Sequence, residues 1–383
     1  MIYHSRFLFV TTYVIAIMSI TPTHAQVILK QDLLQLKGKI GEYPITMKLR
    51  RDNGPAEANF IAMALPYRGV YYYDKVQQPI FIMGKTSSNH KKMTLEAPAG
   101  PSEDDKPEYF ELIANSNLYT GYWKGGKKNT KLPVVLWLDS ASTDFDLYTI
   151  KDSFKLMPKL KNSPEADFNA SILWPVKKNS FTDYLKKEIV HYIRKGYNGT
   201  DINYLLRESR NEFLKEYKND MKDVSASDVK ESNFGYNYES SQQWSVQYES
   251  DNILSLAILN YYYTGGAHGY GAHDYLNIDK KRKKVIHINE VLNNPKSKQL
   301  LKILEKRYRM QLHVPMNTSL TDAGLFDNEI KELAEVFYLT NNGIGFLYNQ
   351  YEIAPYGAGP IEIFVPFSDL SGMLCPTFQR MLH

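Results

Sequence analysis

The sequence predicts two domains in series: an N-terminal all-β antiparallel barrel or sandwich, then a C-terminal α+β domain with helices packed on an antiparallel sheet. Three observations carry this expectation. Residues 33–139 alternate apolar and polar positions between turn signals with almost no helical period. After Ser140 the texture changes, and helical spacing then mixes with strand-like runs. A chain of 383 residues with 43% hydrophobic content is long enough for two cores.

The chain starts with Arg6, an apolar run from Phe7 to Ile20, and the small-residue exit Thr21-Pro22-Thr23-His24-Ala25. A charged start, an apolar core and a small-residue exit read as a secretory signal peptide over residues 1–25, cut after Ala25. The run falls short of the ~20 apolar residues a spanning helix needs, and no later stretch reaches that length, so no transmembrane segment is expected in the mature chain. This places the protein in the periplasm or outside the cell. The single cysteine, Cys375, excludes an internal disulfide, so stability has to come from buried cores.

Residues 26–142 form the predicted β domain. "LQLKGKIG" and "YPITMKLRRDNG" alternate, with Asp52-Asn53-Gly54 as a strong turn signal, and "GVYYYDKVQQPIFIMGK", "KKMTLEAP", "EYFELIA", "LYTGYWKGGKK" and "LPVVLWLDS" repeat the pattern. Pro98 to Glu108 reads as the clearest long loop. Residues 143–166 carry little period and read as a linker. The second domain, 167–383, begins with a strand near Asp167–Trp174. Ser180 is positioned to cap a helix, and a longer helix is expected over Asp201 to Met221. Strands follow near Gln243–Glu249, Ile253–Tyr263, Asp274–Ile278 and Val285–Ile288. A helix to about Tyr308, a shorter one near Asn328–Glu335, a hairpin turning at Asn342-Gly343 and the strand "PIEIFVPFSDL" complete the pattern.

A formal net charge of +4 is small and dispersed, which argues against a nucleic-acid partner. The densest charge run, Lys280 to Lys284, fits a solvated hairpin tip. The 29 tyrosines say more, because a ring with a polar tip suits half-buried strands and wet binding surfaces.

The segment "YYYTGGAHGYGAHDYLNID", from Tyr261 to Asp279, concentrates the chemistry. His268 and His273 stand among glycines and read as loop residues. They lack the convergent ligand spacing of a zinc site, so neither metal nor cofactor is expected. A nucleophile signature is missing too, with no G-x-S-x-G, H-E-x-x-H or P-loop in the chain. Gly265 and Gly266 mark a place where the backbone takes positive φ or approaches another segment closely. A second loop, Tyr351 to Pro360, again breaks a strand with Gly, Pro and Tyr. Two aromatic, glycine-rich loops on one sheet either form a recognition surface or only close its ends.

The ordered set Tyr263-Thr264-Gly265-Gly266-Ala267-His268-Gly269, Leu276-Asn277-Ile278-Asp279, Ile286–Leu292, Phe337-Tyr338-Leu339-Thr340 through Phe346, and Tyr351 to Tyr356 with Gly359 resembles the extracytoplasmic RsiV-like domain family over roughly Asp167 to Leu374. That domain occurs in lysozyme-sensing anti-sigma factors and beside peptidoglycan deacetylase domains. The resemblance implies an α+β domain outside the cytoplasm and, in the best-understood member, a protein-binding role against lysozyme. This chain departs from those relatives: it has no T-F-D-D stretch or paired-histidine zinc motif, and Lys281-Arg282-Lys283 replaces their Thr-Gly-Lys turn.

The resulting expectation is an exported cell-envelope binding protein, its C-terminal domain recognising a cell-wall-associated protein, lysozyme-like, or a glycan such as peptidoglycan. The binding candidates are Tyr263, Gly265, Gly266, His268, Tyr270, Tyr351 and Tyr356. The alternative is a cell-wall hydrolase or esterase using His268 with Asp274 or Glu290.

Overall fold

The computed structural model describes residues 32–51, 66–88, 91–100, 102, 105–126, 129–231 and 234–382. The leader read at 1–25 and the turn at Asp52-Asn53-Gly54 lie outside them.

Eight antiparallel strands form a closed barrel: β1 (Leu33–Ile40), β2 (Tyr43–Arg51), β3 (Tyr67–Tyr73), β4 (Ile80–Thr86), β5 (Lys92–Ala97), β6 (Glu108–Asn115), β7 (Leu118–Gly125) and β8 (Thr130–Leu138). The period-2 pattern explains the interior. Leu34 and Leu36, Ile45, Met47 and Leu49, Tyr67 and Tyr71, Phe110 and Leu112, and Val134 and Leu136 all point inward and are buried together. Pairing of Leu36 with Leu138 through Ile40 with Val134 closes the ring. Gly69 occupies an inward position on β3 where a Cβ would run into the Lys48 carbonyl, so β2 and β3 approach closely there.

The C-terminal region holds two sheets. The larger, in order β14-β13-β12-β11-β10-β9, comprises β9 (Phe145–Lys155), β10 (Glu165–Pro175), β11 (Tyr238–Glu249), β12 (Ile253–Tyr263), β13 (Tyr270–Asp279) and β14 (Lys284–Val285). Its pairs are antiparallel except β10 with β11, so the sheet is mixed. The parallel pair requires a crossover, which α1 (Ser180–Ile193), α2 (Ile202–Asp220) and α3 (Ala226–Glu231) supply. Leu185, Ile189, Leu205 and Leu206 from these helices bury one sheet face, made of Ile172, Trp244, Val246, Leu254, Leu256 and Ile278. The opposite face, with Gln243, Ser245, Ala257, Leu259, His273 and Tyr275, turns towards the rest of the molecule.

The smaller sheet is β15 (Val336–Leu339), β16 (Gly343–Tyr348) and β17 (Ile361–Pro366), with α4 (Ile288–Val291), α5 (Lys298–Gln311) and α6 (Pro376–Leu382) around it. Leu300, Leu304 and Tyr308 of α5 share a core with Leu339, Ile344, Phe346, Ile363 and Val365.

Five local readings change. The strand expected near Val285–Ile288 shrinks to the two-residue β14, and α4 begins at Ile288. Residues 145–155, read as linker, form the full-length edge strand β9. Apolar residues of both parities, Phe145 and Leu147 against Ile150 and Phe154, hid its alternation. The α1 cap is Asn179 rather than Ser180: its Oδ1 accepts from the Phe181 and Thr182 amides at 3.0 and 2.9 Å. Residues 328–335 are irregular instead of helical. Ile330 and Ala334 are buried there, but the Ile330 amide donates to Glu305 and the Glu332 carbonyl accepts from Tyr348, so side chains replace a helical ladder. His273 lies within β13 rather than on a loop.

The two C-terminal sheets share no ladder and are joined by side chains. Asn277 on β13 donates from Nδ2 to the Phe337 carbonyl at 2.8 Å, and its Oδ1 accepts from Ser255 Oγ at 2.7 Å and from the Leu339 amide at 3.2 Å. Asn277 and Ser255 are almost wholly buried. Asn277→Leu removes the donor to the Phe337 carbonyl, while Ser255 Oγ and the Leu339 backbone keep each other, and is expected to lower the unfolding free energy by about 1–3 kcal/mol. Urea denaturation measures it; a loss no larger than that of an exposed substitution contradicts this role.

Candidate functional site

The connection from β12 to β13 turns on Gly265 and Gly266, with φ of 91° and 94°. Gly265 also packs against the Gly235 carbonyl, where a side chain would collide. Tyr263 Oη donates to the Gly266 carbonyl at 3.0 Å and braces this corner from the strand end. His268 follows. Its Nδ1 lies 3.1 Å from the Gly269 carbonyl and its Nε2 lies 3.3 Å from Tyr351 Oη, which fits one tautomer: Nδ1–H donating and Nε2 accepting the phenol.

The second glycine loop meets the first. The Tyr356 ring stacks on His268 with centroids 3.8 Å apart and planes at 22°, and Tyr356 Oη donates to the Gly269 carbonyl at 2.8 Å. Tyr351 lies 5.5 Å from Tyr356 and is 52% exposed. Its backbone has φ of 70°, an uncommon conformation for tyrosine. The structure thus brings His268, Tyr351 and Tyr356 into one ring cluster. Tyr270, 42% exposed, stands opposite Tyr262 across the strand pair.

The acids named for the hydrolase alternative are engaged elsewhere. Asp274 accepts from Tyr192 Oη at 2.9 Å, and Glu290 pairs with Lys284 and accepts from the His287 amide. Among the described residues, no carboxylate forms an ion pair with His268.

Sequence reading missed a cavity of about 380 Å³ where three units meet. The barrel contributes Arg50, Arg68, Val70 and Phe81, the larger sheet Gln243, Leu259 and His273, and the smaller sheet Leu347 and Glu362. Burial pulls the His273 imidazole down to about 4, so it is neutral at neutral pH. Burial pushes the Glu362 carboxyl up to about 7, opposed by the Tyr338 hydroxyl that donates to it at 2.6 Å. No sequence signal joins these residues; their shared strand parity becomes visible only with the register.

Two family models match parts of the C-terminal region. "Protein of unknown function (DUF3298)" matches residues 290–368, and "Deacetylase PdaC" matches residues 162–270. The chain is similar in structure to a DUF3298-family protein from Bacteroides fragilis, at 26% identity and a TM-score of 0.54 over 62% of this chain and 98% of that one. A DUF3298-family protein from Pseudomonas aeruginosa aligns at 17% identity and a TM-score of 0.40, over 61% of this chain and 95% of that one. No curated protein matches. The two family models and the Bacteroides fragilis structure support an extracellular-type domain family and an envelope-associated protein. No helix among the described residues is long and apolar enough to cross a membrane.

Glu362 makes stability depend on pH. Its folded value of about 7 lies above the usual 4.5, so the contribution of its protonated form is full below 4.5 and is lost as pH rises through 7. Glu362→Gln cannot ionise. In thermal melts its midpoint relative to the native protein is expected to rise between pH 4.5 and 7 and level off above. A difference constant across that window contradicts the shift.

Proposed function

We propose that this is an exported binding protein of the bacterial cell envelope whose C-terminal domain is RsiV-like and recognises a cell-wall-associated protein, lysozyme-like, or a glycan. The observation carrying the reading is the stack of His268 on Tyr356 with Tyr351 beside it and exposed. Rigid aromatic faces with polar tips suit both partners, because a ring packs on apolar sugar or side-chain surface while its hydroxyl bonds outward. Both loops hang from sheets, and His268 and Tyr356 are already stacked on each other, so little ordering of these two rings is left for the moment of binding.

The leader-like N-terminus supports export, and the DUF3298 and PdaC similarities support an envelope setting. Tyr263 and the glycines 265 and 266 are given the supporting role of shaping the loop, and Tyr270 extends the surface. The hydrolase reading lacks an acid partner for His268 among the described residues.

The test is retention of the purified protein on intact peptidoglycan and on immobilised lysozyme, with the double variant His268→Ala, Tyr356→Ala alongside. Loss of two central ring contacts is expected to weaken binding by about thirtyfold. Retention of the variant equal to that of the native protein, with its melting transition intact, removes the proposed surface.

A further inference from the structure

The barrel presents Thr46, Lys48 and Arg50 outward on β2, against the larger sheet, and all three are buried. Lys48 is neutralised there: Asp139 and Glu249 lie 3.8 and 3.9 Å from its Nζ, and Gln35 accepts from it at 2.9 Å. Arg50, two residues on and only 2% exposed, is treated differently. Its Nη1 donates to the Trp244 carbonyl at 2.6 Å, just beyond the last β10–β11 pair, Ser171 with Gln243. Its Nε and Nη2 are buried without a hydrogen-bond partner.

Those two atoms form the side edge of the guanidinium, where two parallel N–H groups match the two oxygens of a carboxylate. A buried charged donor left unmet is costly, and a second observation sharpens this. Arg68 stands directly opposite Arg50 on β3, donates to Gln243 and lines the same cavity, so two like charges face each other there. Burial, and then the neighbouring Arg50, pull the Arg68 guanidinium down to about 9; burial brings Arg50 to about 10 against the attraction of Asp32. Both remain cations at neutral pH. Asp32 does not hydrogen-bond the open edge, and Glu362 on the far wall bonds Tyr338 instead.

We propose that this cavity binds an amphipathic monocarboxylate, whose carboxylate is taken by the facing guanidiniums of Arg50 and Arg68 and whose apolar body lies along Val70, Phe81, Leu259 and Leu347. The volume of about 380 Å³ falls in the range of small-ligand sites. The cavity shares a wall with the aromatic surface but does not depend on that surface's role.

Calorimetric titration of the purified protein with decanoate, with decanol, and with an N-acetylated leucyl-phenylalanine acid tests this. Decanoate or the peptide acid is expected to bind, the tighter one identifying an acyl or a peptide source, and decanol to bind at least about tenfold more weakly. Arg50→Gln, which removes the charge, and Arg50→Lys, which keeps the charge but loses the fork, are both expected to weaken the acid by about tenfold to a hundredfold. Ala257→Phe, which fills the cavity and leaves Arg50 in place, is expected to abolish binding even if the arginine variants fail to fold. Decanol binding as tightly as decanoate, equal binding by folded Arg50→Gln or by Ala257→Phe, or no binding of either acid at millimolar concentration overturns the proposal.

Discussion

Two sheets that share no hydrogen-bonded ladder have to be joined by something else, and everything at the C-terminal surface depends on how that is done. Here two asparagines do it, with Ser255 of β12 beside them on the Leu339 backbone. Asn277 on β13 reads the backbone of β15, and Asn349, just beyond β16, reads β13 in return: its Oδ1 accepts from the His273 amide at 2.7 Å and its Nδ2 donates to the His273 carbonyl at 3.2 Å. An asparagine side chain carries the same donor and acceptor pair as a peptide group, so it imitates a ladder where the strands diverge. The consequence is geometric. The loop that follows β12 and the loop that follows β16 are held from opposite sheets, and the stitches bring them within stacking distance.

The junction between the barrel and the larger sheet follows a different rule. An apolar junction is easier to bury, yet this one contains Lys48, Arg50 and Arg68. Buried charges contribute little net stability, but a misaligned one is strongly penalised, so they fix orientation more than they add strength. Lys48 shows this: Asp139 comes from the end of the barrel and Glu249 from the end of β11, and Lys280 also reaches Glu249 at 2.7 Å. Barrel and sheet are thereby set in one register. Tyr248 adds to it, donating to Gln77 at 3.0 Å and packing on Tyr72 at 5.3 Å.

The barrel was legible because strict alternation and turn chemistry are local, and an interior filled from one parity leaves that pattern intact. Helices α1, α2 and α5 were legible for the same reason, as amphipathic runs. What escaped was non-local. β9 is apolar on both parities because it meets the barrel end as well as the helices, which erases period 2 from its sequence. The irregular stretch at 328–335 spaces its apolar residues like a helix but hands its backbone groups to Glu305 and Tyr348. The two glycine loops could be singled out as aromatic and turn-rich, but their meeting could not, since His268 and Tyr356 are joined only through the fold. The cavity is the extreme case: Arg50 and His273 carry no motif, and only the stacking of three sheets gives them a common space.

The ring cluster and the cavity share a wall, and this bears on how a surface of two loops keeps its shape. Gln350 lines the cavity and donates from Nε2 to the Tyr356 carbonyl at 3.3 Å, while the residue after it is Tyr351. Tyr261, also on the cavity wall, lies against Gly269, whose carbonyl accepts from both Tyr356 and His268. The loops are therefore backed by side chains from the sheets beneath them rather than by one another alone. Loops gain function when a rigid scaffold fixes them, and here the scaffold reaches the rings through Gln350 and Tyr261. A small residue at 269 is part of the same arrangement, because a Cβ there would occupy the space of the Tyr261 ring and push the His268 backbone away from its stack. The glycines of this segment thus serve the packing beneath the surface as much as the turn above it.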